Sequence, residues 1–335
     1  MKKVGVGVVG LGQFGEKHVH ALSTLPNVDL IAVCSRREGR AEEIAKKFGA
    51  KMWFTDKDKL VSNPDVEVVD VVVAENEHKD PVIAAAEAGK DVLCEKPIAL
   101  TLEDADEMIS ATRKAGVKFM VGHILRFDPR YAIAKKEIEE GAVGKIVSIY
   151  GRRNIPAKIS GHYLQRVSSI IDDGLHDTDL MHWYTEDRIS RAYGESVNVR
   201  GLPNADIGWG IYKFRKGAVG VIEDAWFLPD NTPFSIDARM EIIGTEGAIY
   251  IDVSDECVQI NDRTGWRLPD TIHWPTVHGK VVGALKEEIS YFIGCVAKDE
   301  EPTIVTPEDA RNALEAVLAV EKSINEGKPV TLPLR

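Results

Sequence analysis

The stretch Ile170–Trp183, IIDDGLHDTDLMHW, places Asp172, Asp173, Asp177 and Asp179 beside His176 and His182. Carboxylates and imidazoles this close together can hold a metal ion, move protons to and from a hydroxyl, or simply solvate a helix. Asp172 and His176 stand at i and i+4 and share a face if the segment is helical. His176, Asp179 and His182 stand at i, i+3 and i+6. The outer pair is then about 600° apart around a helix, off any single ligating face. The stretch alone leaves acid–base work and metal binding open, so the elements that position it must decide.

A second group with chemical character lies near the N-terminus. Val4–Val9 is a short β-branched run suited to a buried parallel strand. It leads into Gly10-Leu11-Gly12-Gln13-Phe14-Gly15, a complete GxGxxG, and then into helix-compatible sequence. In a strand–turn–helix context the first glycine permits the tight turn and the second lets the backbone approach a pyrophosphate. The third lets helix and strand pack closely. The helix N-terminus then offers unpaired N–H groups to phosphate. Gly10, Gly12, Gln13, Phe14 and Gly15 are therefore cofactor-binding candidates. The next strand, Leu30–Cys34, ends in Ser35-Arg36-Arg37, without the acidic residue that would accept a ribose 2′-OH, and Asp29 lies at its wrong end. A small hydroxyl followed by arginines suits a 2′-phosphate, which favours NADP(H) over NAD(H).

Strand and helix patterns then alternate. Glu38–Phe48 is amphipathic and Val66–Val73 is strongly apolar. Asp80-Pro81 reads as a helix start with Gly89 as its stop, and Thr101 with Asp104 as a capping-box-like start. Asp91–Cys94 and Val117–Val121 are further strands. Repeated strand–helix units imply a doubly wound parallel sheet with ligands at the carboxyl ends of its strands. Asn76, His78, Glu95 and Lys96 lie at those ends and are further cofactor candidates, and Lys96 is also a candidate donor to substrate. His78, like His18, His20 and His123, has a structural or pocket-lining role in this reading.

The GxGxxG start, HKDPVIAAAEAGKDVLCEKP, GHILRFDP and DDGLHDTD together resemble the Gfo/Idh/MocA family of sugar and inositol dehydrogenases, over essentially the whole chain. Glu95-Lys96-Pro97 looks like that family's EKP signature, and Asp172-x-Gly174-x-His176 followed by Asp179 like its second signature. The resemblance implies an N-terminal Rossmann domain and a C-terminal α/β domain on an open, mostly antiparallel sheet. It also implies a lysine, aspartate and histidine triad, here Lys96, Asp172 and His176. Gln165-Arg166-Val167-Ser168-Ser169 departs from the glycine-rich run that many members carry before the second signature, so the resemblance does not carry over a specific substrate.

The second half agrees in pattern. Asp128–Glu140 reads as a helix. Lys145–Arg153, Ile207–Phe214, Ala218–Phe227, Phe234–Ile243 and Ala248–Val253 read as strands, with turn chemistry at Lys216-Gly217 and Gly244–Gly247. Gly283–Ala297 and Pro307–Asn325 close the chain as helices, the second capped by Thr306 and Asp309. The reading is two domains, 1–121 for dinucleotide and 122–335 for substrate binding and oligomerisation. A broad open sheet must cover its outer face, which points to a homo-oligomer, dimer or tetramer. A net charge of −11 argues against nucleic acid and anionic membrane as partners. The N-terminal apolar run is glycine-broken and has no cleavage site, and no stretch reaches membrane-spanning length, so a cytoplasmic protein is expected. Cys34 and Cys94 end apolar runs and read as buried reduced thiols, while Cys257 and Cys295 carry no signal.

Oxidising an alcohol requires a group for the hydroxyl proton and charge to stabilise the developing alkoxide. His176 suits the general base, because imidazole titrates near working pH. Lys96 holds the hydroxyl oxygen and favours its ionised form. Asp172 binds a neighbouring hydroxyl and biases the histidine. Arg126, Arg153, Asn154, His162 and Tyr163 are candidates for lining a pocket for a sugar or cyclic polyol, and the arginines leave room for a uronate or nucleotide sugar. Two alternatives stand beside this reading. A metal-dependent hydrolase on His176, Asp179 and His182 leaves the GxGxxG unexplained, and a non-catalytic NADP(H)-binding regulator leaves the triad unexplained.

Overall fold

The computed structural model describes residues 3–253, 258–263 and 265–334. Cys257 lies outside the described residues. In chain order the first part comprises β1 (Val4–Val9), α1 (Gln13–Ser23), β2 (Val28–Cys34), α2 (Glu38–Phe48), β3 (Met52–Phe54) and α3 (Lys57–Val61). Then follow β4 (Val68–Val71), α4 (Lys79–Glu87), β5 (Asp91–Glu95), α5 (Leu102–Ala115) and β6 (Phe119–Gly122). The six strands pair in parallel in the order β3-β2-β1-β4-β5-β6. The order reverses between β1 and β4, where a doubly wound sheet opens its ligand crevice. Every residue of β1 and β4 is buried, as expected of inner parallel strands whose faces are both covered.

Local signals set several ends. The Thr101 hydroxyl accepts the Asp104 N–H at 3.1 Å, and Gly116 closes α5 in the left-handed region. Helix α4 begins at Lys79, ahead of the expected Asp80-Pro81 start, because His78 anchors the preceding turn through its ring. Strand β3 escapes sequence reading because three half-buried residues carry no alternation.

The chain continues through α6 (Pro129–Glu139), β7 (Ile146–Asn154), α7 (Ala157–Ser160), α8 (Ser169–Asp172), α9 (Gly174–Thr185) and β8 (Ile189–Val197). Next come β9 (Ile207–Phe214), β10 (Val219–Ala225), β11 (Asp237–Gly244), β12 (Ala248–Asp252), β13 (Ile260–Asp262) and β14 (Gly265–Arg267). It ends with β15 (Thr276–Val277), β16 (Lys280–Val281), α10 (Ala284–Lys298), α11 (Pro307–Glu326) and β17 (Val330–Thr331). A seven-stranded sheet runs β12-β11-β7-β10-β9-β8-β17, antiparallel throughout except where β10 meets β7. Its buried face carries Ile149, Tyr212, Phe214, Ile222, Ala238, Met240 and Ile242, and α9 packs on β7 and β10. The opposite face exposes Trp209, Ile211, Ile243 and Tyr250. Thr306 and Asp309 form the expected reciprocal box at the start of α11, both bonds at 3.1 Å.

Two compact units result. One joins the chain up to Asp128 with Ile272–Arg311, and the other joins Pro129–Thr271 with the chain from Asn312 onward. The single boundary expected at residue 121 thus gives way to an interleaved division. Segment 272–311 belongs to the first unit because α10 packs on α1, and His20 Nε2 lies 3.0 Å from the Gly279 carbonyl oxygen. An apolar helix face announces burial in the sequence, but not which partner buries it.

Candidate active site

At the end of β1 the three glycines do three different things. Gly10 has φ of 104°, and a Cβ there would meet the Val72 carbonyl oxygen at 2.2 Å. A Cβ on Gly15 would lie 2.0 Å from the Gly10 carbonyl oxygen, so strand and helix are in backbone contact. Beside Gly12 nothing lies within 4 Å. That open cradle, at the N-terminus of α1 and without a side-chain cap, fits the pyrophosphate of a dinucleotide. Gln13 and Phe14 open the helix next to it. Arg40 steadies the loop from α2 by donating to the Leu11 carbonyl at 3.0 Å while pairing with Glu16 and Glu43.

The end of β2 presents Ser35, Arg36 and Arg37 near the surface. Ser35 Oγ accepts the Arg37 N–H at 3.3 Å, and the exposed Arg36 guanidinium forms a two-pronged pair with Glu77 at 2.9 and 3.1 Å. Asn76 lies exposed in the same short turn as Glu77.

Lys96 follows β5 and is half-buried, with a cis peptide bond to Pro97. Its backbone N–H donates to Glu95 Oε2 at 3.1 Å. His78 is buried, with Nδ1 at 2.8 Å from the Pro97 carbonyl oxygen and Nε2 at 3.3 Å from that of Val73. Burial holds its pKa below the ordinary value. His78 therefore braces the lysine turn.

The second signature occupies α8 and the start of α9. The helix is interrupted at Asp173, where the His176 N–H reaches back three residues to the Asp173 carbonyl at 2.9 Å. Asp172 is half-buried and His176 is buried. The neighbouring side chains are engaged in the core of the same unit. Asp173 accepts the Trp226 indole N–H at 3.0 Å, and Asp177 pairs with Arg153 at 3.0 Å. His182 lies 2.9 Å from the Asp187 carbonyl oxygen and edge-on to Phe214, and Asp179 is 1% exposed. Among the described residues, no group of three or more His, Cys, Asp or Glu side chains is placed to hold a metal ion.

The glycine of this signature has a packing reason. A Cβ on Gly174 would sit 2.7 Å from Asp224 Oδ2, so β10 can bring that carboxyl against the first turn of α9 only because residue 174 lacks a side chain. Asp224 is completely buried, and neither carboxyl oxygen has a hydrogen-bond partner among the described residues. Burial first, then the charges of Asp177 and Asp173, push its pKa well above its ordinary value, which favours the protonated form. Because the folded pKa lies above the unfolded one, this acid makes the fold less stable as pH rises above about 4, by up to ~1.4 kcal/mol per pH unit. Asp224→Asn removes that dependence. Its melting temperature relative to the wild type is expected to climb between pH 5 and pH 8, and a constant difference would mean that Asp224 is ionised in the fold.

The remaining pocket candidates divide. Arg126 donates to the Ile304 carbonyl at 2.7 Å and pairs with Asp309 at 3.2 Å, tying the turn after β6 to the start of α11. Arg153 is 2% exposed on its pair with Asp177. Asn154 donates to Glu223 at 2.9 Å and accepts the Ala225 N–H at 2.7 Å, so both ends of its amide have partners. His162 and Tyr163 are exposed, the former 2.9 Å from Arg166. Sequence reading misses Asp70, Asp224 and Glu288, although each has a signal. Asp70 is the one acid inside the apolar strand β4, Asp224 follows Glu223 near the end of β10, and Glu288 shares the apolar face that Leu285, Ile289 and Phe292 define.

Residues 4–123 match the pattern described as the oxidoreductase family with NAD-binding Rossmann fold, and residues 131–250 match the GFO/IDH/MocA C-terminal domain. The chain is 31% identical to a scyllo-inositol 2-dehydrogenase (NAD(+)) of Bacillus subtilis, over 99% of this chain and 97% of that protein. It is 40% identical to a 2,7-anhydro-N-acetylneuraminate hydratase of Mediterraneibacter gnavus, over 99% of this chain and 97% of that one. A solved structure of a probable dehydrogenase from Thermotoga maritima superposes with a TM-score of 0.82 at 28% identity, covering 98% of this chain and 99% of that one. The glycine cradle, the doubly wound sheet, the EKP turn and end-to-end similarity of this extent agree: the chain belongs to the Gfo/Idh/MocA oxidoreductase family.

Proposed function

We propose that this NAD(P)-dependent dehydrogenase oxidises a ring hydroxyl of a cyclic polyol or sugar, whether inositol-like, an aldose or a sugar acid. The observation that carries the reading is that Lys96, Asp172 and His176 all occur in a chain that aligns end to end with a scyllo-inositol 2-dehydrogenase. When bound, the nicotinamide supplies the hydride acceptor. His176 takes the hydroxyl proton, the Lys96 ammonium stabilises the oxygen as it gains charge, and Asp172 binds an adjacent hydroxyl. Because Arg126, Arg153 and Asn154 hold internal partners, His162 and Tyr163 are the exposed candidates for ring contacts. Ser35, Arg36 and Arg37 support NADP(H) over NAD(H), with Glu77 giving up Arg36 to the 2′-phosphate. The exposed apolar residues of the second sheet support a homo-oligomer, dimer or tetramer.

The 40% identity to a hydratase acting on an anhydro sugar acid favours a second reading, in which the substrate carries a carboxylate and water is added without net oxidation. One assay separates the two. Polyols, aldoses, uronates, nucleotide sugars and 2,7-anhydro-N-acetylneuraminate are each incubated with NAD and with NADP, while absorbance of the reduced cofactor and product mass are followed. The dehydrogenase reading expects reduced cofactor in proportion to product. Product carrying an added water, with the cofactor unchanged, supports the hydratase reading. Turnover with NAD but none with NADP removes the cofactor preference.

A further inference from the structure

We propose that His18 is a positioning residue that fastens the lysine turn to the glycine loop, standing as an imidazolium between Asp70 and Glu95 while Glu95 accepts the backbone N–H of Lys96. His18 lies in α1 with no exposed surface, its Nδ1 2.9 Å from Asp70 Oδ2 on β4. Its Nε2 lies 3.2 Å from Glu95 Oε1 on β5, a charge contact rather than a well-directed hydrogen bond. Both neighbours are carboxylate oxygens, which only accept. A neutral imidazole would turn a bare lone pair toward one of them, so both ring nitrogens carry protons.

The surroundings support that protonation. From α10, Glu288 is buried against the same cluster, and neither of its oxygens has a hydrogen-bond partner among the described residues. Burial first and then the Glu95 charge push its pKa well up, which favours its protonated form. The Cys94 thiol, raised chiefly by burial, is also neutral. Asp70 and Glu95 are the two anions facing His18. Burial alone would lower the His18 pKa, but Asp70, through charge and hydrogen bond, and then Glu95 lift it from 6.5 to about 10.

Two contacts carry this cluster to the site. The His18 ring meets Phe14 edge-on in the first turn of α1, where the helix leaves the glycine loop, with centroids 4.9 Å apart, and the other carboxylate oxygen of Glu95 holds the Lys96 amide. On the far flank His78 holds the Pro97 carbonyl, so the turn is gripped on both sides of the lysine. Apolar side chains of similar volume would stabilise a core as well as or better than this ion cluster. They cannot offer the Lys96 amide an acceptor at a fixed position, and that is what the cluster supplies.

The proposal rests on the reading that Lys96 works on the substrate, and the test keeps the two apart. In wild-type protein labelled with ¹⁵N-histidine, one imidazole is expected to keep both nitrogens protonated from pH 6 to pH 9, with its signal absent in His18→Gln. If every imidazole loses a proton below pH 8, the proposal falls. Kinetics use scyllo-inositol or the substrate that the assay above returns. Glu95→Ala is expected to lower kcat at least ~10-fold through misplacement of the turn, with substrate KM changed less than about 3-fold. Glu95→Gln keeps an acceptor for the amide and is expected to restore kcat to within about 3-fold of wild type. Slow Lys96→Ala with full-speed Glu95→Ala overturns the positioning role alone, whereas full-speed Lys96→Ala overturns the lysine's assignment and leaves the imidazolium to the NMR. If Glu95→Ala does not fold, the wild-type spectrum and the Gln variant still decide.

Discussion

Lys96→Ala and His176→Ala are each expected to turn over substrate at least ~10²-fold more slowly than the wild type, the range for losing a positioned acid–base group or a charge aimed at a developing oxyanion. The two should differ in stability. Lys96 is half-buried at a turn whose backbone is held by Glu95 and His78, so truncating its side chain leaves those backbone bonds in place. His176 is buried in the first turns of α9, and truncation there leaves a cavity costing on the order of 1–3 kcal/mol. His176→Gln, which fills more of that volume, separates lost chemistry from lost packing. Near-normal turnover in Lys96→Ala, or in His176→Gln with a native melting curve, removes the corresponding residue from the mechanism. Steady-state kinetics and thermal denaturation on the same preparations provide both readouts.

Arg153→Met is expected to destabilise the protein by ~3–5 kcal/mol, because it strands the Asp177 carboxyl in a site where 1% of it is exposed. At roughly 2–4 °C per kcal/mol for units of this size, the melting temperature falls on the order of 10 °C. Burial opposes charge on Arg153, but the charge of Asp177 outweighs it and holds the guanidinium's pKa above its ordinary value. Asp177 is pushed up by burial and only partly relieved by Arg153. The guanidinium keeps its proton in any case, and breaking the buried pair by removing one partner costs more than replacing both. Arg153→Met combined with Asp177→Leu should therefore recover most of the loss. A substrate-binding Arg153 makes the opposite prediction, with little change in melting temperature and a large rise in KM. The experiment thus decides whether this arginine belongs to the pocket, where its polarity alone would place it, or to the scaffold under the second signature.

Pattern made much of the architecture legible. The β-branched run into GxGxxG, the capping residues at Thr101 and Thr306, and the glycine-marked turns of the second sheet are short-range signals. Local backbone chemistry reads them the same way in any context. Strand β8 was not legible, because Arg191, Gly194 and Glu195 interrupt its alternation and its partner β9 determines its pairing. The start of α4 was misplaced for a related reason. His78, held by carbonyls from two other segments, outranks the local Asp80-Pro81 signal.

The chemistry divides along the same line. In the sequence, glycine spacing after a β-branched run pointed to the dinucleotide cradle, because a missing side chain lets backbone approach phosphate, while the family resemblance put Lys96, Asp172 and His176 forward as the reactive groups. Only the tertiary structure decided that Arg126, Arg153 and Asn154 spend polar groups on internal partners. It also showed that Gly174 makes room for Asp224 and that His18, Asp70, Glu95 and Glu288 meet beneath the lysine turn. Such assignments depend on which distant carboxyl or carbonyl lies within about 3 Å, a distance at which a buried charge is either satisfied or costly. Sequence spacing carries no record of that distance for residues far apart in the chain.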